Sequence, residues 1–556
     1  MKTNSIFSAT LALALCFAMV LVTCSPLLAQ EVQIGDPHPD PKDQKWSGMT
    51  ALRSSVGTSA ASSHSGASPW PTPTPTDQQF VVDTGSGLDT QCQFRSQGSL
   101  KFTINVTRVV GSGDTGAVDG EGKLLHPQQM VDNGIIAPTA ELTLPAFDVD
   151  FNTPTSEGQP ERDRILFNGQ PIGNLGSEAY LNGENNKWRM NKLTVPISQV
   201  KFARENGLSP IPGENQVEIL IDQANIANNK ELWCTSVDWA ALKFKALYPV
   251  VMVHGNGKSG AFWDKLNFTK PFRDAGAPYY NDINLPTTFI AVNSGLLAAL
   301  MPLPLLKFGV NHIHIVCHSK GGLDTRGFLK FLPTQDAEFA VVTMTTLSTP
   351  HHGSALADYL RDVDGADFQL SDSPERVLAA QYKRDYNEGR QNLTTEFVER
   401  FNAQNLPLPQ SFVVHGEKTT VQYFSIGADV NTNNSFFLGR PTITADELHG
   451  TEEDAGTSNP IALAVGGTLV YRMLYDVAST HWKRIYTIDG PKRIVIETTN
   501  ETGQLNDMLV TIKSSMIAPF AAQYTSPEIK RNHASIADEA MGLLVLTLIE
   551  NAQPVK

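Results

Sequence analysis

A serine near the middle of the chain stands between an apolar run and a helix-like pattern. Residues 312–326 read HIHIVCHSKGGLDTR, which predicts a strand, a tight turn with Ser319 at its tip, and a helix. Such a turn lifts the serine hydroxyl clear of a sheet and aims a helix N-terminus at it. The pattern is C-H-S-K-G, with Gly321 after the serine and the compact Cys317 where G-x-S-x-G has glycine. Ser319 is a candidate nucleophile; the alternative is an ordinary serine in a glycine-rich turn.

A serine hydroxyl is a weak nucleophile, so it needs a histidine to take its proton and a carboxylate to orient that histidine. Where a nucleophilic serine stands on such a turn between a strand and a helix, called an elbow, the three catalytic residues follow along the chain in the order serine, acid, histidine. His533 fits as the base, because RNHASIADEA predicts a loop just before the last amphipathic helix. Asp507 fits as the acid, because it lies in a predicted turn 26 residues before His533. Asp429 is the second choice for the acid.

An oxyanion formed at Ser319 would need backbone N–H donors. The glycine-rich segment 254–260 (HGNGKSG) follows a predicted strand, and its glycines let the backbone approach closely. We expect the N–H groups of Asn256 and Lys320 to form the oxyanion hole. A phosphate-binding loop is the alternative, but the segment lacks the spacing of the known glycine-rich phosphate loops.

The second half of the chain carries the strands and helices that would position these residues. Residues 248–253 (YPVVMV) form a continuous apolar run, as in a buried parallel strand, and 287–293 (TTFIAVN) predicts another strand. Alternation with helix-like patterns predicts an α/β domain over 247–556, with a doubly wound, mostly parallel sheet. Segment 355–405 would be a helical lid or a surface insertion. Residues 482–499 predict a β-hairpin.

Residues 79–246 carry short alternating apolar runs separated by turn residues, which predicts an all-β, sandwich-like accessory domain. Three tryptophans would fill its core or form a sugar-binding platform. These are Trp188, Trp233 and Trp239. Three aspartates would be surface turn residues or calcium ligands. These are Asp148, Asp150 and Asp163.

The N-terminal segment 1–29 resembles an export signal, with Lys2 before an apolar stretch and small residues at the end. Lipoprotein processing at Cys24, or retention in the periplasm, is the alternative to release. Residues 30–78 are rich in Pro, Ser and Thr and predict a linker. No later segment is a clean apolar run of some 18 residues, so a secreted, soluble protein is expected.

The composition of the chain limits the classes of partner and cofactor that it could bind. The 556-residue chain has a net charge of −14 and no basic cluster, which argues against nucleic acid. No cofactor is predicted, and no clear metal-ligand pattern is present. Removal of the signal would leave Cys92, Cys234 and Cys317. In an oxidising compartment we expect a Cys92–Cys234 disulfide, with two buried thiols as the alternative.

Four separated motifs resemble the bacterial triacylglycerol lipases and esterases of the α/β-hydrolase superfamily. They are VMVHG at 251–255, CHSKGGLDTR at 317–326, LSTPHHGSALAD at 347–358, and the pair NDMLV at 506–510 with NHASI at 532–536. The resemblance covers the last 300 or so residues only. It implies an α/β-hydrolase fold with Ser319 as nucleophile, Asp507 as acid and His533 as base.

This chain departs from the family pattern at three positions, which are Cys317, Lys320 and Met508. His351 and His352, in the TPHHGS motif, could form part of the acyl-pocket wall and are predicted to pack and to form hydrogen bonds rather than to transfer protons.

The expected function is that of a secreted serine carboxyl-ester hydrolase acting on small-molecule or lipid esters, with contact to a lipid interface or a polymer as an open possibility. One alternative is an esterase on a polymeric ester, with the β-domain as a targeting module. The other is a non-catalytic surface-binding protein with a degenerate hydrolase fold.

Overall fold

The computed structural model describes part of the chain. The described residues are 68–84, 93–111, 127–149, 151, 160–173, 180–184, 186–223, 234–358, 388–428, 436–437, 440–441, 481–487, 490–497, 507, 509–517, 521–525, 533 and 535–555. The predicted export signal, Cys24, Cys92, Asp150, Trp233 and Asp429 lie outside these residues.

The first region is built from antiparallel strands. They are β1 (Gln79–Asp83), β2 (Gln93–Phe94), β3 (Leu100–Val106), β4 (Thr139–Phe147), β5 (Arg164–Phe167), β6 (Gln170–Pro171), β7 (Trp188–Pro196), β8 (Gly213–Leu220), β9 (Cys234–Val237) and β10 (Trp239–Lys243), with helix α1 (Pro127–Asp132). One sheet has the order β1-β10-β4-β9-β2, with β7 also on β4, and the second has the order β3-β8-β5-β6. In β3 the side chains alternate between buried and exposed, and the buried ones share a hydrophobic cluster with the first sheet.

Of the tryptophans and aspartates considered from the sequence, Asp163 is placed differently from the expectation and Trp239 is placed as expected. Asp163 is fully buried rather than on a surface turn; it accepts hydrogen bonds from the Asp222 N–H and the Thr235 hydroxyl, and burial raises its pKa. Trp239 lies in the core, and its indole N–H donates to the carbonyl of Trp70 at 3.1 Å. Cys234 is disulfide-bonded, whereas Cys317 is a free, buried thiol.

The second region contains a parallel sheet. Its first elements are β11 (Val250–Val253), α2 (Phe262–Lys265), α3 (Lys270–Ala275), β12 (Tyr279–Ile283), α4 (Ile290–Leu300), α5 (Pro302–Phe308), β13 (His312–His318), α6 (Lys320–Phe331) and β14 (Ala340–Leu347). The later elements are α7 (Glu388–Gln391), α8 (Thr395–Asn405), β15 (Ser411–Val414), β16 (Glu417–Thr420), β17 (Gln422–Gly427), β18 (Phe436–Phe437), β19 (Arg440–Pro441), β20 (His481–Thr487), β21 (Gly490–Glu497), α9 (Ile512–Ser515), β22 (Ala521–Thr525) and α10 (Glu539–Ala552).

The parallel sheet has the strand order β12-β11-β13-β14-β17-β22. Both of its faces are covered, as its continuous apolar strands require. Val251 and Val253 belong to a cluster with residues of α4, α5 and α6. Val250 and Met252 point to the opposite face and belong to a cluster with residues of α10 and of the antiparallel sheets. Within the part of the chain that the structure describes, β15–β16, β18–β19 and β20–β21 form separate antiparallel pairs.

The two regions are joined through a buried polar cluster as well as an apolar core. Arg108, which follows β3, is fully buried and donates from Nη2 to the carbonyl of Leu247 at 2.6 Å. Asp77 lies 3.0 Å from Nδ1 of His312, the first residue of β13, and accepts from the Tyr248 hydroxyl at 3.2 Å. Arg108 and Asp77 of the antiparallel region thus form hydrogen bonds to the start of the second region.

One sequence-based expectation about residues 287–308 is wrong. The TTFIAVN run at 287–293 is not a strand, because α4 begins at Ile290 and buries Asn293 and Ser294 against α6. By length and composition, the helical span Ile290–Phe308 is apolar enough to cross a membrane. In the fold it forms the two consecutive helices α4 and α5, and α4 packs on α6.

Candidate active site

Ser319 stands between the last residue of β13 and the first residue of α6, as the sequence predicts. Its φ is 53° and its ψ is −131°, a backbone conformation that costs free energy for a residue with a side chain. The Ser319 N–H donates to the carbonyl of Leu347 at 2.9 Å, which ties the turn to β14. The fold therefore holds Ser319 in a strained position, and such positions cluster at functional sites.

The glycines around the serine are required by close approach of the backbone. A Cβ at Gly321 would meet the carbonyl oxygens of Val253 and His254, because α6 crosses directly over the end of β11. A Cβ at Gly255 would lie 2.8 Å from the Cβ of Ser319. The loop after β11 is thus pressed against the serine, where a donor to an oxyanion must lie.

Ser319, His533 and Asp507 are brought together in one hydrogen-bonded line. The Ser319 hydroxyl donates to Nε2 of His533, with the two atoms 2.8 Å apart. The Nδ1–H of His533 donates to Oδ2 of Asp507, also at 2.8 Å. The three residues come from positions separated by up to 214 residues, so the fold alone assembles them. This geometry allows the imidazole to accept the serine proton while the carboxylate stabilises the charge that results.

The Asp507 carboxylate is held in place by hydrogen bonds within its own turn. Its side chain has no exposed surface, and its Oδ1 accepts from the N–H groups of Leu509 at 3.0 Å and Val510 at 2.8 Å. One carboxylate oxygen is therefore occupied by the local turn, and the other is left for His533.

His318, the residue before the nucleophile, is a functional neighbour that the sequence reasoning missed. Its Nε2–H donates to the backbone carbonyl of His533 at 2.7 Å, and its ring stacks on Phe262 with centroids 4.5 Å apart. Burial, and to a lesser degree the charge of His533, hold the pKa of His318 well below its usual value, so it stays neutral. His318 thus holds the main chain of the proposed base, next to the serine that the base serves.

The predicted oxyanion loop is ordered by its own histidine. Nδ1–H of His254 donates to the carbonyl of Gly255 at 2.8 Å, and Nε2 accepts from the N–H of Leu285 at 3.0 Å. Burial lowers the pKa of His254, which keeps the ring neutral, as these two bonds require. Asn256 follows in this loop, and Lys320 begins α6, where the first N–H groups of a helix have no partner inside the helix.

His351 and His352 make hydrogen bonds away from the serine hydroxyl. His351 accepts at Nδ1 from Arg326 at 3.2 Å and donates from Nε2 to the Thr346 hydroxyl at 3.0 Å. Burial and then the charge of Arg326 hold the pKa of His351 well below its usual value. His352 donates from Nε2 to the carbonyl of Met516 at 3.1 Å.

Cys317 stands where the G-x-S-x-G pattern has its first glycine, and its side chain fits there. Its side chain is fully buried in the cluster that contains Phe328 and Leu329 of α6, and its Sγ–H donates to the Thr325 hydroxyl at 3.2 Å. Burial raises the pKa of the thiol to about 12, so it is an unreactive packing residue.

No family model matches the chain. In alignments of 132 residues that cover 21% of this chain, it is 27% identical to a triacylglycerol lipase of Pseudarthrobacter phenanthrenivorans and to one of Burkholderia plantarii. It spans 37% and 33% of the length of those two proteins. A shorter stretch of 51 residues is 37% identical to triacylglycerol lipase 2 of Saccharomyces cerevisiae and covers 9% of this chain and 15% of that one.

Two solved lipase structures also resemble the chain. The mature form of lipase BlEst2 from Bacillus licheniformis gives a TM-score of 0.33 at 21% identity, covering 55% of this chain and 92% of that one. Lipase 1 from Pelosinus fermentans gives a TM-score of 0.33 at 15% identity, covering 55% of this chain and 98% of that one. By its sequence, the chain is therefore weakly similar to the triacylglycerol lipases.

Proposed function

We propose that this protein is a secreted serine carboxyl-ester hydrolase of the α/β-hydrolase fold that cleaves acylglycerols or related acyl esters. The observation that carries the proposal is the line of hydrogen bonds from Ser319 through His533 to Asp507, each 2.8 Å long. The sequence similarity to triacylglycerol lipases supports the substrate class. The elbow conformation of Ser319 supports its role as nucleophile.

In the proposed reaction His533 takes the proton from Ser319 as the serine oxygen attacks the ester carbonyl. The N–H groups of Asn256 and Lys320 receive the developing oxyanion. Collapse of the tetrahedral intermediate breaks the bond to the alcohol oxygen, and the alcohol leaves with the proton from His533. Water, deprotonated by the same histidine, then attacks the acyl-enzyme and releases the carboxylic acid.

The test is hydrolysis of a chain-length series of p-nitrophenyl esters by the full chain and by Ser319→Ala. The wild-type protein should hydrolyse esters, and the variant should lose on the order of 10³-fold or more in kcat while unfolding at the wild-type temperature. Ser354→Ala is a matched control, because Ser354 is also buried and donates its hydroxyl hydrogen to a carbonyl, that of Leu509. Near-normal turnover by Ser319→Ala would refute the mechanism.

A covalent probe adds an independent readout. A fluorophosphonate should label the wild-type chain once, with the adduct at Ser319 in the peptide map, and should leave Ser319→Ala unlabelled. Failure to label the native wild-type chain would favour the non-catalytic alternative.

A further inference from the structure

A buried ion pair begins at the residue after the proposed nucleophile, and its two side chains take no part in the proposed reaction. Lys320 and Asp324 are 1% and 2% exposed, and the ammonium lies 2.6 Å from Oδ1 of the carboxylate. The other oxygen of Asp324 accepts from the side-chain amide of Asn293, on the neighbouring helix α4, at 3.0 Å. The hydrogen-bonded series Asn293–Asp324–Lys320, which we name the brace, therefore connects α4 to the first residue of α6.

The position of this pair is unfavourable for stability alone. A cation at a helix N-terminus opposes the helix dipole, and the lysine-before-acid order is the weaker arrangement of an i,i+4 pair. Burial opposes ionisation of both groups, since it lowers the pKa of Lys320 and raises that of Asp324 to about 6. Apolar residues of similar volume would stabilise such a site equally well or better. Stability alone therefore does not explain why a buried ion pair occupies this position.

The two glycines between the charged residues explain why the pair is needed. Gly321 and Gly322 must be glycine, because a Cβ at either would collide with His254 or with Thr349. Two glycines in the first turn weaken a helix by about 1 kcal/mol each. The ion pair spans this turn, from Lys320 to the residue four positions later, and Asn293 anchors it to α4.

We propose that the brace positions the oxyanion hole. The side chain of Lys320 holds the first turn of α6, and so fixes the backbone N–H of the same residue in the direction in which the oxyanion forms. Lys320, Asp324 and Asn293 are positioning residues in this role, acting through that N–H. The inference rests on the proposed function for its substrate, because ester hydrolysis is the reaction whose oxyanion is held.

Three variants and one control test the proposal in the full chain. Lys320→Met and Asp324→Asn each break the pair, and Lys320→Met/Asp324→Leu replaces it with apolar side chains. Lys270→Met is the matched control, because it removes the lysine of an exposed i,i+4 pair with Asp274 on α3. For each protein we would measure kcat, KM, the melting temperature and the inhibition constant of a trifluoromethyl ketone, which adds to the serine and forms an oxyanion.

Both single variants should lose roughly 10- to 100-fold in kcat with little change in KM, the scale expected when a catalytic group is displaced by about 1 Å. The inhibition constant should rise by the same factor. The double variant should recover the melting temperature, since no unpaired charge is left buried, but not kcat. Recovery of kcat together with the melting temperature would overturn the proposal, as would wild-type kcat in Lys320→Met.

The rate at which a fluorophosphonate labels Ser319 separates this inference from the proposed function. Labelling uses the same N–H donors but requires no ester turnover. Slower labelling of Lys320→Met would support the brace even if the wild-type chain hydrolysed no ester, a result that would refute only the proposed function. Equal labelling rates of wild-type and Lys320→Met would refute the brace.

Discussion

Asp507 and His533 are joined by two hydrogen bonds, one between side chains and one between main chains. Nδ1–H of His533 donates to Oδ2 of Asp507 at 2.8 Å, and the N–H of His533 donates to the carbonyl of Asp507 at 2.9 Å. The second bond holds the two backbones close together, which keeps the imidazole within hydrogen-bonding distance of the carboxylate. It also makes the acid a structural support for the loop that carries the proposed base.

Asp507→Asn should lower kcat by about 10⁴-fold with little change in KM. The main-chain bond stays, so His533 keeps its place, but the amide no longer enforces the tautomer that carries hydrogen on Nδ1. Steady-state kinetics on a p-nitrophenyl ester check the expectation. Asp429→Asn, the other acid considered from the sequence, serves as the comparison and should retain most of its activity. The opposite ranking of the two variants would reassign the acid.

His318→Ala should lower kcat by roughly tenfold, since loss of a hydrogen bond to a group that must be positioned costs about 1.5 kcal/mol. The His533 carbonyl would lose its donor at 2.7 Å, and the loop would sample other positions. His318→Asn offers an N–H near the same place and should recover part of the loss. The pH profile of wild-type kcat/KM should show no inflection from His318, whose pKa lies well below the usual histidine range. An equal loss in both variants would argue against the hydrogen bond.

The sequence allows the three residues of the Ser–His–Asp line to be chosen, because chain order and turn patterns narrow the candidates. It does not allow His318 to be recognised, since its partner is a backbone carbonyl 215 positions away. Every residue type has a main-chain carbonyl, so no sequence pattern shows which one accepts a hydrogen bond. The strand order of the parallel sheet likewise depends on pairings that no local pattern records.

The errors elsewhere have similar causes. The apolar run TTFIAVN suits a buried strand or a buried helix, and only the packing of Asn293 and Ser294 on α6 decides for the helix. The sequence predicts Asp163 on a surface turn because carboxylates are rarely buried alone. Its partners Asp222 and Thr235 follow 59 and 72 residues later, and their hydrogen bonds offset the cost of burial.

Gly321→Ala should destabilise the fold by about 3 kcal/mol and abolish most activity. The added methyl group would meet the carbonyl oxygens of Val253 and His254, which are backbone atoms at the end of a buried strand and cannot move aside. Gly295→Ala is the matched control, because Gly295 lies within α4 and an added Cβ there would meet no atom within 4 Å. That variant should gain about 0.5–1 kcal/mol in the free energy of unfolding. Urea unfolding of both proteins, with activity measured in parallel, checks the contrast.

The buried polar cluster between the two regions should make stability fall in acid. Burial acts to raise the pKa of Asp77, but the hydrogen bond from His312 and the charges of His312 and Arg108 outweigh it, so the pKa lies below its usual value of about 3.9. A carboxyl group with a depressed folded-state pKa stabilises the fold above its unfolded-state pKa. That stabilisation is lost as the pH falls through the folded-state value.

Asp77→Asn tests this linkage. At pH 7 the variant should lose about 1.5–3 kcal/mol in the free energy of unfolding, because the hydrogen bonds that the Asp77 carboxylate accepts from His312 and Tyr248 are weakened and its attraction to the buried Arg108 is lost. Below about pH 4 the gap between wild-type and variant should narrow, since wild-type Asp77 becomes protonated there and the asparagine does not titrate. Urea unfolding from pH 3 to 7 measures both effects, and Asp274→Asn, in an exposed pair with Lys270, should unfold like wild-type at every pH. A constant gap across this range would mean that Asp77 stabilises the junction through packing rather than through its charge.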